Sequence, residues 1–168
     1  MITIGLFLGI NNFKEERFIV IKIPPLALVV VTALLMWGVA MLVPTLTYSF
    51  IWSKGIAVAV VCVGLIICLA AVFEFRVAET TVNPLRPGDT SALVTSGVYQ
   101  LSRNPMYLGF LLMLAGWAVW LENGLSAMFL PGYFAYIDQF QIGPEEEALL
   151  SAFGAEYREY LKSVRRWF

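Results

Sequence analysis

Apolar residues fill four long stretches of the chain, 24–43, 55–73, 106–121 and 125–142, and polar residues gather in the gaps between them. About 20 predominantly apolar residues in an α-helix cross a hydrocarbon core, so the pattern predicts about four transmembrane helices. The first stretch opens on Pro24-Pro25, which a first helical turn tolerates, and stops at Pro44. The third and fourth are shorter or more polar, and only Glu122-Asn123-Gly124, a turn-forming sequence, separates them. They read as a tight helical hairpin. Beyond 142 the period changes: Leu149, Phe153, Tyr157, Tyr160, Val164 and Trp167 recur at three- and four-residue steps, with Glu147, Ser151, Arg158, Glu159 and Lys162 on the remaining surface. Gly143-Pro144 followed by Glu145, Glu146 and Glu147 is a helix-start signal, with proline in the first turn and carboxylates over the positive end of the helix dipole. The expected fold is all-α, an integral-membrane helical bundle closed by a C-terminal amphipathic helix. Its expected organisation is an uncleaved N-terminal extension over 1–22, spans within 23–142 around a central loop at 76–105, and the amphipathic helix over 143–168.

Composition agrees with a membrane protein. Of 168 residues, 60% are hydrophobic and 14% charged, against about 45–50% and about 25% in soluble domains. One domain's length leaves any chemistry to be built on the membrane helices themselves. A net charge of −1 without a basic stripe argues against a nucleic-acid partner. With no histidine in the chain, the commonest metal ligand and the usual neutral-pH base are absent, and no metal site is expected. Cys62 and Cys68 are separated by about 9 Å of helical rise, too far for a disulfide, and read as core or lipid-facing thiols. Ten of the eleven cations fall before the first stretch, between the second and third, or after the fourth, and only Lys54 falls on the other side. Because Lys and Arg concentrate on the cytoplasmic side, both termini and the central loop are expected there.

In a hairpin of two similar spans, the residues that enter the first and leave the second finish at one level. That brings Tyr99, Arg103, Asn104 and Tyr107 toward Glu145, Glu146 and Glu147, with Thr80-Thr81-Val82-Asn83-Pro84 supplied by the central loop. Asn104-Pro105 suits a helix start whose free N–H groups bind a carboxylate. Asp138 is a further ionisable group near a span, read as interfacial. Gly64, Ala70, Ala71, Gly109, Ala115 and Gly116 permit close helix packing.

In order and spacing, G-V-Y, R-N-P-M-Y-L-G, P-E-E and F-G-A-E-Y-R-E-Y-L-K-S-V-R-R-W resemble the isoprenylcysteine carboxyl methyltransferase and phospholipid N-methyltransferase superfamily. The resemblance covers about 22–168. Many members carry histidine where this chain has Asn104, and the N-P-M-Y-x-G form looks like the phosphatidylethanolamine methyltransferase variant. Membership implies S-adenosylmethionine bound at the cytoplasmic mouth and a lipophilic acceptor, an isoprenylcysteine-like carboxylate or a lipid amine. The implied cofactor residues are Tyr99, Arg103, Asn104, Pro105, Met106, Tyr107, Gly109, Glu145 and Glu146. For the chemistry, Glu146 is the candidate base for an amine acceptor, with Glu145, a tyrosine or water as alternatives. Arg158 and Arg165, with Arg166 beside them, are candidate cations for a carboxylate acceptor. The competing readings are a membrane reductase using a nicotinamide cofactor and a non-enzymatic membrane interaction protein.

Overall fold

The computed structural model describes residues 24–78 and 92–168. The expected 1–22 extension, the Thr80 to Pro84 cluster and Arg86 lie outside the described residues. The described residues form helices: α1 (Pro25–Leu42), α2 (Ser53–Val77), α3 (Pro105–Leu121), α4 (Gly124–Ala127), α5 (Phe129–Tyr136), a π-helical segment (Ile137–Ile142) and α6 (Gly143–Ser163). Short 3-10 turns stand at Pro44–Leu46 and Gly97–Gln100.

α1 and α2 are long and apolar enough to cross a bilayer, with mean hydropathy 2.3 and 3.2 over their best windows. Their large apolar side chains point outward: Leu42 is 83% exposed, Ile66 64% and Phe73 62%. Water does not tolerate apolar surface on that scale, whereas lipid does. α3 is apolar but has 17 residues, and its buried residues are more numerous, because it lies against both α1 and α2. Gly64 of α2 and Gly109 of α3 make the close approach. A Cβ on Gly109 would stand 2.5 Å from Cys68 Sγ and 2.6 Å from the Gly64 carbonyl oxygen. Cys62 is exposed and Cys68 buried, and both are free thiols.

The fourth apolar stretch is not one uninterrupted span. It breaks after α4, restarts as α5 and then widens into the π-helical segment, which continues into α6 without a gap. Pro144 explains the widening, since it brings no N–H and its ring crowds the carbonyl of a regular α-turn. A π-turn reaches one residue further back, and the Gly143 amide accordingly donates to the Asp138 carbonyl. The helix-start signal at Gly143-Pro144 therefore marks a change of helical form within a continuing chain.

α6 also departs from the periodic pattern. Gly154 takes φ 51° and ψ −112° inside it, a conformation open to glycine and strained for other residues. Helix geometry ends at Ser163 with Val164 extended, so Val164 and Trp167 of the predicted stripe belong to a returning strap, 164–168. The strap is bound across the start of α3: Arg103 N donates to the Arg165 carbonyl at 3.0 Å, and Ser102 Oγ and Asn104 Nδ2 donate to the Arg166 carbonyl at 3.2 and 3.1 Å. Tyr157, Tyr160 and Val164 form a small core with Leu93, Leu149 and Phe153.

The opposite end of the bundle is closed by the hairpin turn. Asn123, fully buried, donates from Nδ2 to the Val43 carbonyl at 2.9 Å and accepts from the Ser126 amide at 3.1 Å. Ser126 Oγ donates to the Met36 carbonyl at 2.7 Å, and Ser53 Oγ donates to Glu122. Lys54 lies at this end, 3.4 Å from Glu122. Arg103 and Arg166 lie at the other.

Candidate functional site at the α3–α6 junction

The returning strap, the π-helical segment and the start of α3 bring together most of the residues expected from the hairpin. Arg103 Nη2 stands 2.7 Å from Glu146 Oε1, and its Nη1 donates to the Val164 carbonyl at 2.7 Å. These side chains are only 12% and 17% exposed, so the pair is largely withdrawn from water. Arg166 reaches Glu146 Oε2 at 2.5 Å and Asp138 Oδ2 at 3.0 Å, and its guanidinium is held more firmly protonated than usual, first by the Glu146 hydrogen bond. Asp138 also accepts from Trp167 Nε1 at 2.9 Å, and the Trp167 ring lies 4.8 Å from that of Phe134. The ion-pair chain thus runs Asp138, Arg166, Glu146, Arg103, and it ties the π-helical segment to α6, the strap and α3.

A second arm starts in the first turn of α3. Tyr107 Oη donates to Glu145 Oε1 at 2.5 Å. Tyr99 is buried in the 3-10 turn, with its ring edge-on to Phe75 at 5.4 Å, and its carbonyl accepts from Tyr160 Oη at 2.6 Å. Gly97 starts that turn at φ 54°, against the Glu74 carboxylate to which Ser96 Oγ donates. Burial pushes the Tyr99 and Tyr160 phenols well up from their ordinary value, and it pushes Tyr157 up to about 12.

Asn104 does not cap α3 with its side chain, which donates to the strap instead, so Met106 and Tyr107 present their amides without that cap. Pro105 is buried and Met106 packs beside Tyr99. Gly109 faces α2 at the close approach described above, away from the ion-pair chain. Arg158 and Arg165 stand exposed, on α6 and on the strap, as does Glu147. In the sequence Asp138 reads as interfacial, Trp167 reads only as a member of the apolar stripe, and Ser102 carries no signal. A lone carboxylate within an apolar stretch was the available signal for the first, while the other two depend on the strap's fold-back, which leaves no local pattern.

The donor set suits a small charged ligand with an amino-acid moiety and an aromatic base. Arg103 keeps its buried Nε without a partner among the described residues. Glu145 is a carboxylate on a phenol, and Tyr99, Met106 and Tyr107 supply aromatic and thioether surface. Such groups match the carboxylate, ammonium, sulfonium and adenine of S-adenosylmethionine.

The phospholipid methyltransferase family matches residues 52–156, a stretch that contains Arg103 to Tyr107 as well as Glu145 and Glu146. The chain belongs to the phospholipid methyltransferase family. It is similar to protein-S-isoprenylcysteine O-methyltransferase A of Arabidopsis thaliana, 35% identical over 67% of this chain, and it spans just over half, 57%, of that relative's length. The B form of Arabidopsis thaliana is 29% identical over 95% of this chain and 88% of its own length. The protein-S-isoprenylcysteine O-methyltransferase of Schizosaccharomyces pombe is 27% identical over 72% of this chain and 52% of its own. No solved structure matches. The family match and these relatives favour a membrane methyltransferase over the reductase and non-enzymatic readings.

Proposed function

We propose that the chain is an S-adenosylmethionine-dependent methyltransferase of a small lipophilic acceptor, working at the cytoplasmic face of a multi-pass membrane bundle. The observation that carries this reading is the meeting of Arg103 and Tyr107 with Glu145 and Glu146 at one mouth of an apolar helix bundle. S-adenosylmethionine, when bound, supplies a methyl group on an electrophilic sulfonium.

The chain's own residues bind and orient. Glu145 accepts from an ammonium or a ribose hydroxyl while the Tyr107 hydroxyl fixes its orientation. Arg103, steadied by Glu146 and the Val164 carbonyl, offers its Nε and the neighbouring Met106 and Tyr107 amides to a carboxylate. Both Glu146 oxygens receive hydrogen bonds from arginine, which suits it to hold Arg103 and Arg166 in register. Arg158 and Arg165 offer exposed charge to a carboxylate acceptor. A strap closed over the junction limits water, and alignment with exclusion of water supplies much of the rate in a displacement of this kind. The names of the relatives favour a carboxylate on a prenylated cysteine over a lipid amine.

The test is calorimetric titration of the purified protein with S-adenosylhomocysteine, followed by lipid analysis of membranes supplied with methyl-labelled donor. Saturable binding and a labelled lipid formed only in the protein's presence are expected; neither appearing overturns the reading. The orientation is tested by cysteines introduced at Lys54 and Lys162, expected to react with an impermeant reagent from opposite sides of the membrane.

A further inference from the structure

α2 ends on a carboxylate that the proposed donor chemistry does not use. Glu74 lies in the last turn of α2, where the negative end of the helix dipole disfavours an acidic side chain, and it is only partly exposed. A carboxylate drawn part-way out of water at such a place calls for a compensating hydrogen bond. The chain that leads to α3 supplies one, since Ser96 Oγ donates to Glu74. Gly97 is fitted to the same group. Its φ of 54° lies in the left-handed region that favours glycine, and a Cβ there would overlap the Glu74 carboxyl group. Both residues are therefore shaped around one side chain of α2.

The turn held in this way delivers Tyr99. The Ser96 carbonyl accepts from the Tyr99 amide at 3.0 Å, and the Val98 carbonyl accepts from the Leu101 and Ser102 amides at 3.2 and 3.3 Å. Consecutive turns thus run from Ser96 to Ser102, one residue short of Arg103. Phe75, the neighbour of Glu74 in α2, meets the Tyr99 ring edge-on at 5.4 Å, and Ala71 and Met106 belong to the same cluster. The Tyr99 phenol is close enough to Glu145 to feel its charge. A glycine at the head of the turn leaves the backbone free to swing unless something holds it. Glu74 is that restraint, and a shift of about 1 Å in a positioning element can cost on the order of a hundredfold in rate.

We propose that Glu74 is a positioning residue for the methyl donor: it holds the Ser96–Gly97 turn, the turn fixes Tyr99, and through Tyr99 it sets donor affinity. This rests on the methyltransferase reading and adds to it a residue that works from outside the ligand. The partner of the carboxylate is a neutral hydroxyl, so Glu74 acts as a hydrogen-bond acceptor. Glutamine keeps an acceptor oxygen at the same reach, and alanine does not.

The experiment uses the full chain in lipid nanodiscs, titrated calorimetrically with S-adenosylhomocysteine at a temperature well below each variant's unfolding midpoint. Glu74→Ala and Ser96→Ala are each expected to weaken binding at least fivefold, and Glu74→Gln to stay within twofold of the unsubstituted protein. In a Tyr99→Leu background, Glu74→Ala is expected to cost less than a further twofold, because the ring through which it acts is gone. Unchanged affinity in Glu74→Ala overturns the proposal even where the unfolding midpoint drops, since the contact then serves the fold alone. A full fivefold loss in the Tyr99→Leu background overturns it as well, as does a Glu74→Gln variant as weak as Glu74→Ala. Should Glu74→Ala fail to fold, Ser96→Ala, which removes the same hydrogen bond from the other side, decides by the same criteria. An unsubstituted protein that binds no S-adenosylhomocysteine overturns the methyltransferase reading and this assignment with it, whereas normal binding with unaffected variants rejects the role of Glu74 alone.

Discussion

Arg103 and Arg166 grip one carboxylate: Glu146 receives Arg103 Nη2 on Oε1 at 2.7 Å and Arg166 Nη2 on Oε2 at 2.5 Å. Arg103 belongs to the approach to α3 and Arg166 to the strap, so a single side chain of α6 joins three segments far apart in sequence. Glu146→Gln keeps the shape and removes the charge. Hydrogen bonds to charged groups contribute about 1.5–3 kcal/mol, and a partner left buried loses the compensation for its desolvation. Thermal and denaturant unfolding in detergent are expected to report a loss of that order, with S-adenosylhomocysteine affinity reduced at least tenfold. Glu147→Gln, on an exposed position, should change neither, and equal effects of the two substitutions would remove Glu146 from its central place.

Tyr107 and Glu145 are expected to act as one unit toward the donor. Tyr107→Phe removes the hydroxyl that orients the carboxylate, and Glu145→Gln removes the charge proposed to meet the ligand. Each single change should weaken S-adenosylhomocysteine binding about tenfold, equivalent to about 1.4 kcal/mol. The double variant should lose clearly less than the product of the two, because contacting residues couple by about 0.5–3 kcal/mol. Strict additivity in the titration would show that the 2.5 Å contact does no work in binding.

Much of this was legible in the sequence, and the reasons for the remainder are specific. The apolar runs announced α1 and α2 because spans of that kind depend on length and composition alone. Arg103, Tyr107, Glu145 and Glu146 were reachable through hairpin geometry, since a short turn at Glu122-Asn123-Gly124 brings its flanks level. The π-helical widening at the end of the fourth stretch was hidden because proline's effect depends on whether the preceding turns widen, and here the Gly143 amide reaches back to Asp138. The strap was hidden by its own composition. Val164 and Trp167 continue the helical period of Tyr157 and Tyr160, yet the carbonyls of Val164, Arg165 and Arg166 are taken by Arg103, Ser102 and Asn104. Such long-range backbone pairing overrides a local pattern.

The α2–α3 contact predicts a sharp contrast between glycines. Gly109→Ala would set its Cβ 2.6 Å from the Gly64 carbonyl oxygen, a backbone atom that moves only if the helices part. Overpacking of this kind costs about 1–3 kcal/mol. Gly38→Ala meets nothing within 4 Å, and within α1 alanine is favoured over glycine by up to about 1 kcal/mol. Thermal unfolding in detergent should fall for the first substitution and hold or rise for the second; the reverse order would place the helix contact elsewhere.

Alkaline pH should unfold the junction through its phenols. Tyr157 is held up to about 12, first by burial and then by the negative charge of Glu146, with Arg103 and Arg166 opposing. The ordinary phenol value is about 10. Below that value the unfolded and folded chains both keep the proton, and the contribution of burying a neutral phenol is fully present. Between about pH 10 and about pH 12 the unfolded chain releases its proton while the folded chain holds it, so the unfolded state binds fewer protons and stability falls as pH rises. Tyr99 and Tyr160 are raised in the same direction, chiefly by burial, and deepen the fall. The unfolding midpoint, followed with tyrosinate absorbance, should decline across this window, and Tyr157→Phe should make the decline shallower by removing one titrating group. An identical slope in the variant would mean that Tyr157 titrates as freely in the folded protein as in the unfolded chain, and that the strap does not seal it from water.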